Sequence, residues 1–361
     1  MDLSKEPNKK HSKIDESLEN KIVEIRKMLM THSTPATKYS NIGAVAIHQE
    51  LNKAGYRSKP NLSTINRVIK RNNLIQTKRR NRSNKESKVH YPVLPARYPG
   101  HTYQLDLVTP RYISGYGKIV SVNRIDVYSS LANLNQYQSK GADSIIEFIL
   151  EDWKEYGIPL YLQLDNEASF RGSVYHPRTF GKLTRFCLNF GVQLIFIPFN
   201  EPWRNAHIES FNSRFNDRLW LIQKFTDLVH LRIESQKFKN KHNDYQQYRK
   251  ENFSKQKLQS YTTRLLPDIR HDLLVDLAIT KGKVHFIRLV NEKGYINIFN
   301  EDFYISTKLS FEYIWATILT HKSEVKFFHK ATKESKWVMV KSVEYRLREI
   351  VKDRIPFEYF L

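Results

Sequence analysis

Cysteine is almost absent: Cys187 is the only one in 361 residues. That excludes an internal disulfide and every zinc site needing two or more cysteines, and it suits a reducing compartment. Long apolar runs are missing too. No stretch approaches the roughly 18 residues that a spanning helix needs. The N-terminus, MDLSKEPNKKHSKIDESLEN, lacks the apolar segment of a secretory signal. A cytoplasmic protein without a membrane partner is expected. Acids are scarcest in one place: residues 51–100 hold one, Glu86, against 13 Lys and Arg, for +12.

The remaining charge is just as uneven. Residues 1–50 carry +1, residues 101–220 balance 12 basic against 12 acidic residues, and residues 221–361 carry +9, for +22 in all. Such an excess marks a partner that is a polyanion. A neutral middle between basic flanks suggests grip outside and chemistry inside. With 40% hydrophobic and 12% aromatic residues the chain is globular, and it is long enough for several domains.

Residues 1–14 read as a flexible tail. Leu18, Ile22, Ile25 and Leu29 then repeat at helical spacing. A second helix carries Ala44, Ile47, Leu51 and Ala54 on one face and stops at Gly55. A third starts at Ser63 or Thr64 as N-cap and turns Ile65, Val68 and Ile69 inward. Its outward residues are Asn66, Arg67, Lys70 and Arg71. Three short helices over residues 15–76 predict a helix-turn-helix with a recognition helix for double-stranded DNA. Ser63 and Thr64 are included among its DNA contacts. The basic tract that follows, within a linker over 77–99, offers Lys78, Arg79, Arg80 and Arg82 to phosphates.

From residue 100 the pattern changes to β-β-β-α-β-α-β-α, which predicts an α/β core over 100–222 with a mixed sheet of five strands. Residues 223–262 read as a helical connector. Residues 263–361 read as short alternating strands and predict a separate small β-barrel. The chain as a whole is thus read as a multidomain α+β protein.

Asp106 lies in the first core strand, between Leu105 and Leu107, and Asp165 ends the fourth. In this arrangement those strands are expected side by side at the sheet centre. Two buried carboxylates together repel unless a cation holds them. Hard oxygen donors select Mg2+ or Mn2+ over zinc. Two glutamates compete as a third ligand. Glu201 stands 36 positions after Asp165 but precedes Pro202 in a loop. Glu209 falls on a helix whose polar row is Asn205, Glu209, Asn212 and Asn216, beside an apolar row of Ile208, Phe211, Phe215 and Leu219. A helix places a ligand better than a loop, so Glu209 is the choice. His101 is expected as a DNA contact or surface residue.

YQLDLVT, LQLDNEASF and FNEPWRNAHIESFN, in that order, resemble the catalytic core of DDE transposases and retroviral-type integrases. GAVAIHQELNKAGYRSKPNLSTINRVIKRNNLI resembles the helix-turn-helix of bacterial insertion-sequence transposases. The resemblance implies an RNase H-like core, catalytic and metal-binding roles for Asp106, Asp165 and Glu209, and two Mg2+ or Mn2+ ions per active site. It implies DNA cleavage and strand transfer by a homo-oligomer assembled on element ends and target DNA. A bacterial, nucleoid-associated location follows, and no small-molecule substrate does. The chain departs from the family where Asp165-Asn166-Glu167 replaces Asp-Asn-Gly and where Asn205-Ala206 replaces Asn-Gly. Two other functions remain compatible with the sequence: a catalytically silent DNA-binding protein derived from a transposase, and a metal-dependent DNA nuclease.

Overall fold

A computed structural model describes residues 14–57, 59–76, 89–172, 177–254, 266 and 277–354. The chain divides into two units, Met1–Ser83 and Asn84–Leu361. No helix among the described residues is long and apolar enough to cross a membrane.

In the first unit, α1 (Glu16–Thr31), α2 (Ala44–Lys53) and α3 (Leu62–Arg71) bury most of the apolar stripes read from the sequence, with Leu18 half-buried and Ala54 exposed at the end of α2. Arg26 ties the three helices together. Its guanidinium donates to the Leu74 carbonyl after α3, at 2.8 and 3.2 Å, and to the Ile42 carbonyl before α2. The N-cap of α3 is Asn61, not Ser63 or Thr64. Its Oδ1 accepts from the Thr64 amide at 3.1 Å and from both hydroxyls, at 2.7 and 2.9 Å. An Asx acceptor one position before the first helical residue satisfies an orphan N–H that a Ser inside the first turn cannot reach.

The second unit is built on one mixed sheet. Its strands are β1 (Thr102–Ile113), β2 (Gly117–Asp126), β3 (Ala132–Tyr137), β4 (Tyr161–Leu164), β5 (Gln193–Phe196), β6 (Lys283–Leu289), β9 (Tyr313–Leu319), β10 (Glu324–His329) and β11 (Val338–Glu344). Strands β7 (Tyr295–Ile298) and β8 (Glu301–Tyr304) form a separate hairpin. The sheet order is β11-β10-β9-β6-β5-β4-β1-β2-β3. The first three strands form an antiparallel meander, and β1, β4, β5 and β6 run parallel.

The helices are α4 (Ala142–Tyr156), a single turn α5 (Ala168–Arg171), α6 (Lys182–Asn189), α7 (Ala206–Phe215) and α8 (Leu228–Phe253). Strand alternation divides them between two faces. Tyr103 and Leu105 point into the main core with Phe148 and Trp153 of α4 and Phe186 of α6. Gln104 and Asp106 point the other way, toward α7. The apolar row of α7 packs onto α8, with Phe211 and Phe215 each 5.6 Å from Phe238 between ring centres.

Helix α8 is mostly polar, yet Ser235, Lys239, His242 and Gln246 are buried. They lie along the free edge of the sheet. Asn243 behaves like a neighbouring strand: its Oδ1 accepts from the Ala132 amide at 2.8 Å and its Nδ2 donates to the Ala132 carbonyl at 2.9 Å. Arg232 donates to the Gln136 carbonyl, and Lys250 to that of Tyr128. The helix thereby blunts an edge that would otherwise recruit another strand.

Three expectations about this unit require correction. The sheet has nine strands rather than five, and residues 263–361 do not form a barrel apart from it among the described residues. β6 pairs with β5 through Leu194↔Val284, Ile195↔His285 and Phe196↔Phe286, and β9, β10 and β11 continue the ladder. The reason lies in β5. Leu194, Ile195 and Phe196 are all fully buried, as a parallel strand covered on both faces requires. Its edge needs a further strand. The linker is also shorter than 77–99. Val89, Tyr91 and Leu94 pack against Ile195, Ile287 and Tyr313, so that part belongs to the second unit.

Candidate active site

The β1–β4 register pairs Gln104 with Gln163. Two residues further along both strands stand Asp106 and Asp165, so the pairing carries the two carboxylates to neighbouring positions. Helix α7 crosses the same end of the sheet and brings Glu209. The polar row of this helix is bonded to the strands rather than solvated. Asn205 Oδ1 accepts from Gln163 Nε2 at 2.7 Å, and the Ile208 amide donates to Gln104 Oε1 at 3.1 Å. Asn212 Nδ2 donates to Asp106 Oδ2 at 2.6 Å, while its Oδ1 accepts from Asn123 Nδ2 at 2.8 Å. Asn216 accepts from Arg111.

The three carboxylates act on one another through space. Burial, followed by the charges of Asp165 and Glu209, pushes the Asp106 carboxyl up to about 7. Asp165 is raised mainly by burial, against the Glu167 amide that donates to its Oδ1 at 3.0 Å. Glu209 is raised by burial and then by Asp165. Concentrated like charge of this kind is what a divalent cation relieves, and hard carboxylate oxygens are the donors Mg2+ and Mn2+ take. The donor chemistry fits. The side chains as they stand are not drawn together, since no three His, Cys, Asp or Glu among the described residues form a group that could hold an ion.

Glu201 is engaged elsewhere. Arg204 Nε donates to its Oε2 at 2.8 Å, and the Tyr313 hydroxyl donates to it at 2.8–2.9 Å. Arg204 also stacks 3.9 Å from the Tyr91 ring centre. This cluster pins the loop before α7 to β9 and to the segment at 89–94.

Sequence reasoning missed one residue that bears on the site. Arg288 of β6 is a buried cation whose acceptors are neutral. It donates to the carbonyls of Ile197, Ile287 and Asn297 and to Asn166 Oδ1 at 2.7 Å. Burial pushes its guanidinium down to about 9, so it stays charged at neutral pH. Asn166 in turn donates to the Ile197 carbonyl at 2.6 Å. The loop carrying Asp165 is thus fastened from a strand over a hundred residues later. The only advance signal was an arginine in a short, largely apolar strand, KVHFIRL, that also carries Lys283 and His285.

Of the other expected sites, Asn66, Arg67, Lys70 and Arg71 are exposed on α3, and Arg71 is ion-paired with Glu19 of α1. Lys78, Arg79, Arg80 and Arg82 lie outside the described residues. His101 is not a surface residue. It is buried, its Nδ1 lies 2.8 Å from Thr102 Oγ1, and its ring lies against Tyr98 and Tyr161.

No protein-family model and no curated protein match the chain. Solved structures do. The HTLV-2 integrase catalytic core domain in complex with magnesium, dimeric form, is 17% identical; the match covers 43% of this chain and 89% of that one, at a TM-score of 0.29. The BIV integrase catalytic core domain is 17% identical over 38% and 81%, at 0.29. A simian T-cell lymphotropic virus intasome in complex with PP2A regulatory subunit B56 gamma is 11% identical over 84% and 96%, at 0.32. Scores this low leave the function to this chain's own residues.

Proposed function

We propose that the chain is a polynucleotidyl transferase of the DDE type, which cleaves DNA at element ends and joins the freed 3′ ends to a target. What carries this reading is the placement of Asp106, Asp165 and Glu209 at one end of the sheet. They come from a central strand, the end of its parallel neighbour and a crossing helix; the charges of Asp165 and Glu209 raise the proton affinity of Asp106, and that of Asp165 raises Glu209. Strand order β3-β2-β1-β4-β5 supports it, being the order an RNase H-like core requires. The basic flanks support it as well.

Asp106, Asp165 and Glu209 would hold the ions. When bound, divalent metal at these carboxylates supplies activation of the attacking oxygen and stabilisation of the leaving one. The protein's own part is positioning. Asn212, steadied by Asn123, orients the Asp106 carboxylate. Arg288 and Asn166 fix the Asp165 loop. The bonds of Asn205 and the Ile208 amide set the depth of α7, and so the place of Glu209. Asn66, Arg67 and Lys70 of α3 would meet the DNA grooves. Lys78, Arg79, Arg80 and Arg82 would meet phosphates. Two ends and a target require at least two protomers on the DNA.

The test is a strand-transfer assay with the DNA ends flanking the gene, with and without Mg2+. Metal-dependent joining by the full chain is expected. Cleavage without joining would make it a nuclease. Tight binding with neither reaction would make it a silent DNA-binding protein.

A further inference from the structure

The tip of the β1–β2 hairpin and the segment after α7 enclose an open hollow of about 600 Å³, lined by Pro110, Arg111, Tyr112, Trp220, Lys224 and Phe225 among others. Two cations line it and no carboxylate does. Three aromatic rings share the wall. Trp220 is braced by Phe225 at 5.0 Å, edge to face, and the Arg111 guanidinium lies 5.3 Å over the Trp220 ring. Tyr112 is 77% exposed at the hairpin tip. Arg111 Nε and Trp220 Nε1 are buried N–H groups without an acceptor, a cost that calls for an explanation. The chain reaches Trp220 through a π-helix, Asn216–Trp220, a form that recurs at functional sites.

Its place relative to the carboxylates is informative. Asn212 bonds Asp106, and Asn216, one turn further along, bonds Arg111. Asp106 and Arg111 are five positions apart on β1, about 16 Å of extended strand, on the order of two to three nucleotide steps. Resting on the transferase reading above, we propose that this hollow receives an unpaired nucleotide two or three steps along the strand from the reacting phosphodiester. Its base stacks on Tyr112, and its phosphate lies between Arg111 and Lys224. Stacking on an aromatic ring tolerates any base. The cation over Trp220 adds a second flat surface.

The experiment uses the full chain and a duplex whose single-stranded 3′ overhang begins with 2-aminopurine. Fluorescence reports stacking and anisotropy reports affinity, with a blunt duplex as control. Binding is expected to quench the probe. Tyr112→Ala should abolish the quench and weaken overhang binding about tenfold, with blunt-duplex binding and thermal melting unchanged. Tyr112→Phe should retain the quench. Lys224→Ala should lower the salt slope of overhang binding by about one. An unaltered quench and affinity in Tyr112→Ala would overturn the pocket while leaving the transferase reading intact. Failure of the wild-type chain to bind even the blunt duplex would overturn both. Displacement of the overhang by thymidine monophosphate at equal affinity would assign the hollow to a free nucleotide instead and overturn the strand.

Discussion

Arg288 donates to Asn166, and Asn166 is the residue that follows Asp165. A cation taken out of water is expensive unless its donors are filled. Here they are filled by backbone carbonyls and one side-chain amide, so the cost is met by fixing a loop. Asn166→Ala should leave DNA affinity unchanged and lower turnover about 10- to 100-fold, as a small misplacement of a reacting group does. Arg288→Met should have a similar effect on turnover, and the double variant should lose little more than either one. Single-turnover rates alongside binding isotherms would test this. Wild-type turnover in Asn166→Ala would remove Arg288 from any positioning role.

The two glutamates of FNEPWRNAHIESFN should separate cleanly. Asp106→Asn, Asp165→Asn and Glu209→Gln are each expected to abolish cleavage and joining with DNA binding retained. Glu201→Gln should keep substantial activity and lose stability, because Arg204 and Tyr313 both depend on it. Glu209→Gln offers a readout free of substrate. It removes one of the mutually repelling charges, so Tm in metal-free buffer should rise by a few degrees. An active Glu209→Gln variant, or one with a lowered Tm, contradicts the assignment.

The placement of Asp106 and Glu209 on their elements was legible because two periodicities met. Alternation in QLDL put Asp106 opposite Leu105, and helical spacing put Glu209 in a polar row. What could not be read was the use of that row. Asn205, Asn212 and Asn216 read equally well as a wet surface or as partners of a sheet, and only the β1–β4 register decides it. The strands after residue 283 posed the same difficulty. Short alternating segments with turns look alike whether they close on themselves or extend a neighbour, and the need of β5 for a partner is a tertiary fact. The Asn61 cap was misplaced by two or three residues, where Asn, Ser and Thr in NLST all compete for one role.

Two buried histidines should contribute a loss of stability in mild acid, opposite in sign to the contribution of the raised Asp106 carboxyl. His242 and His285 are buried, and burial, with Arg214 near the first and Lys283 near the second, pushes both down to about 3. Trp315 Nε1 donates to His285 Nδ1 at 3.1 Å, so Nδ1 must accept and Nε2 must donate to Gln193 Oε1 at 3.0 Å. A second proton has no place to go. The unfolded chain binds protons at these residues from about pH 6.5 downward, whereas the folded chain does not until about 3. Unfolding therefore takes up protons in that window, and stability rises with pH through it. The stabilisation is complete above about 6.5 and is lost as pH falls toward 3. Each histidine contributes a slope of up to about 1.4 kcal/mol per pH unit. Urea unfolding of His285→Gln across roughly pH 4 to 7 should show a shallower dependence than wild type. An identical slope would mean that His285 is charged in the folded protein.

The extended sheet makes the sharpest demand. If residues 263–361 were a separate module, removing them would leave a folded core. The pairing of β6 with β5 says otherwise, and so does the stacking of Phe196 on Phe286 at 5.3 Å and 12°. Truncation after residue 262 strips the partner from a strand buried on both faces and opens the core at Phe286, Ile314, Ala316 and Ile318. The product is expected to lose its cooperative thermal transition and bind a dye specific for exposed apolar surface, the signature of collapsed but unpacked chains. Removing residues 1–83 cuts instead at the boundary between the two units and should leave the Tm of the remainder nearly unchanged. Calorimetry of the two truncations side by side is decisive. A sharp transition in the chain ending at 262 would show that the core closes without β6, and the nine-stranded sheet would not be the unit that folds.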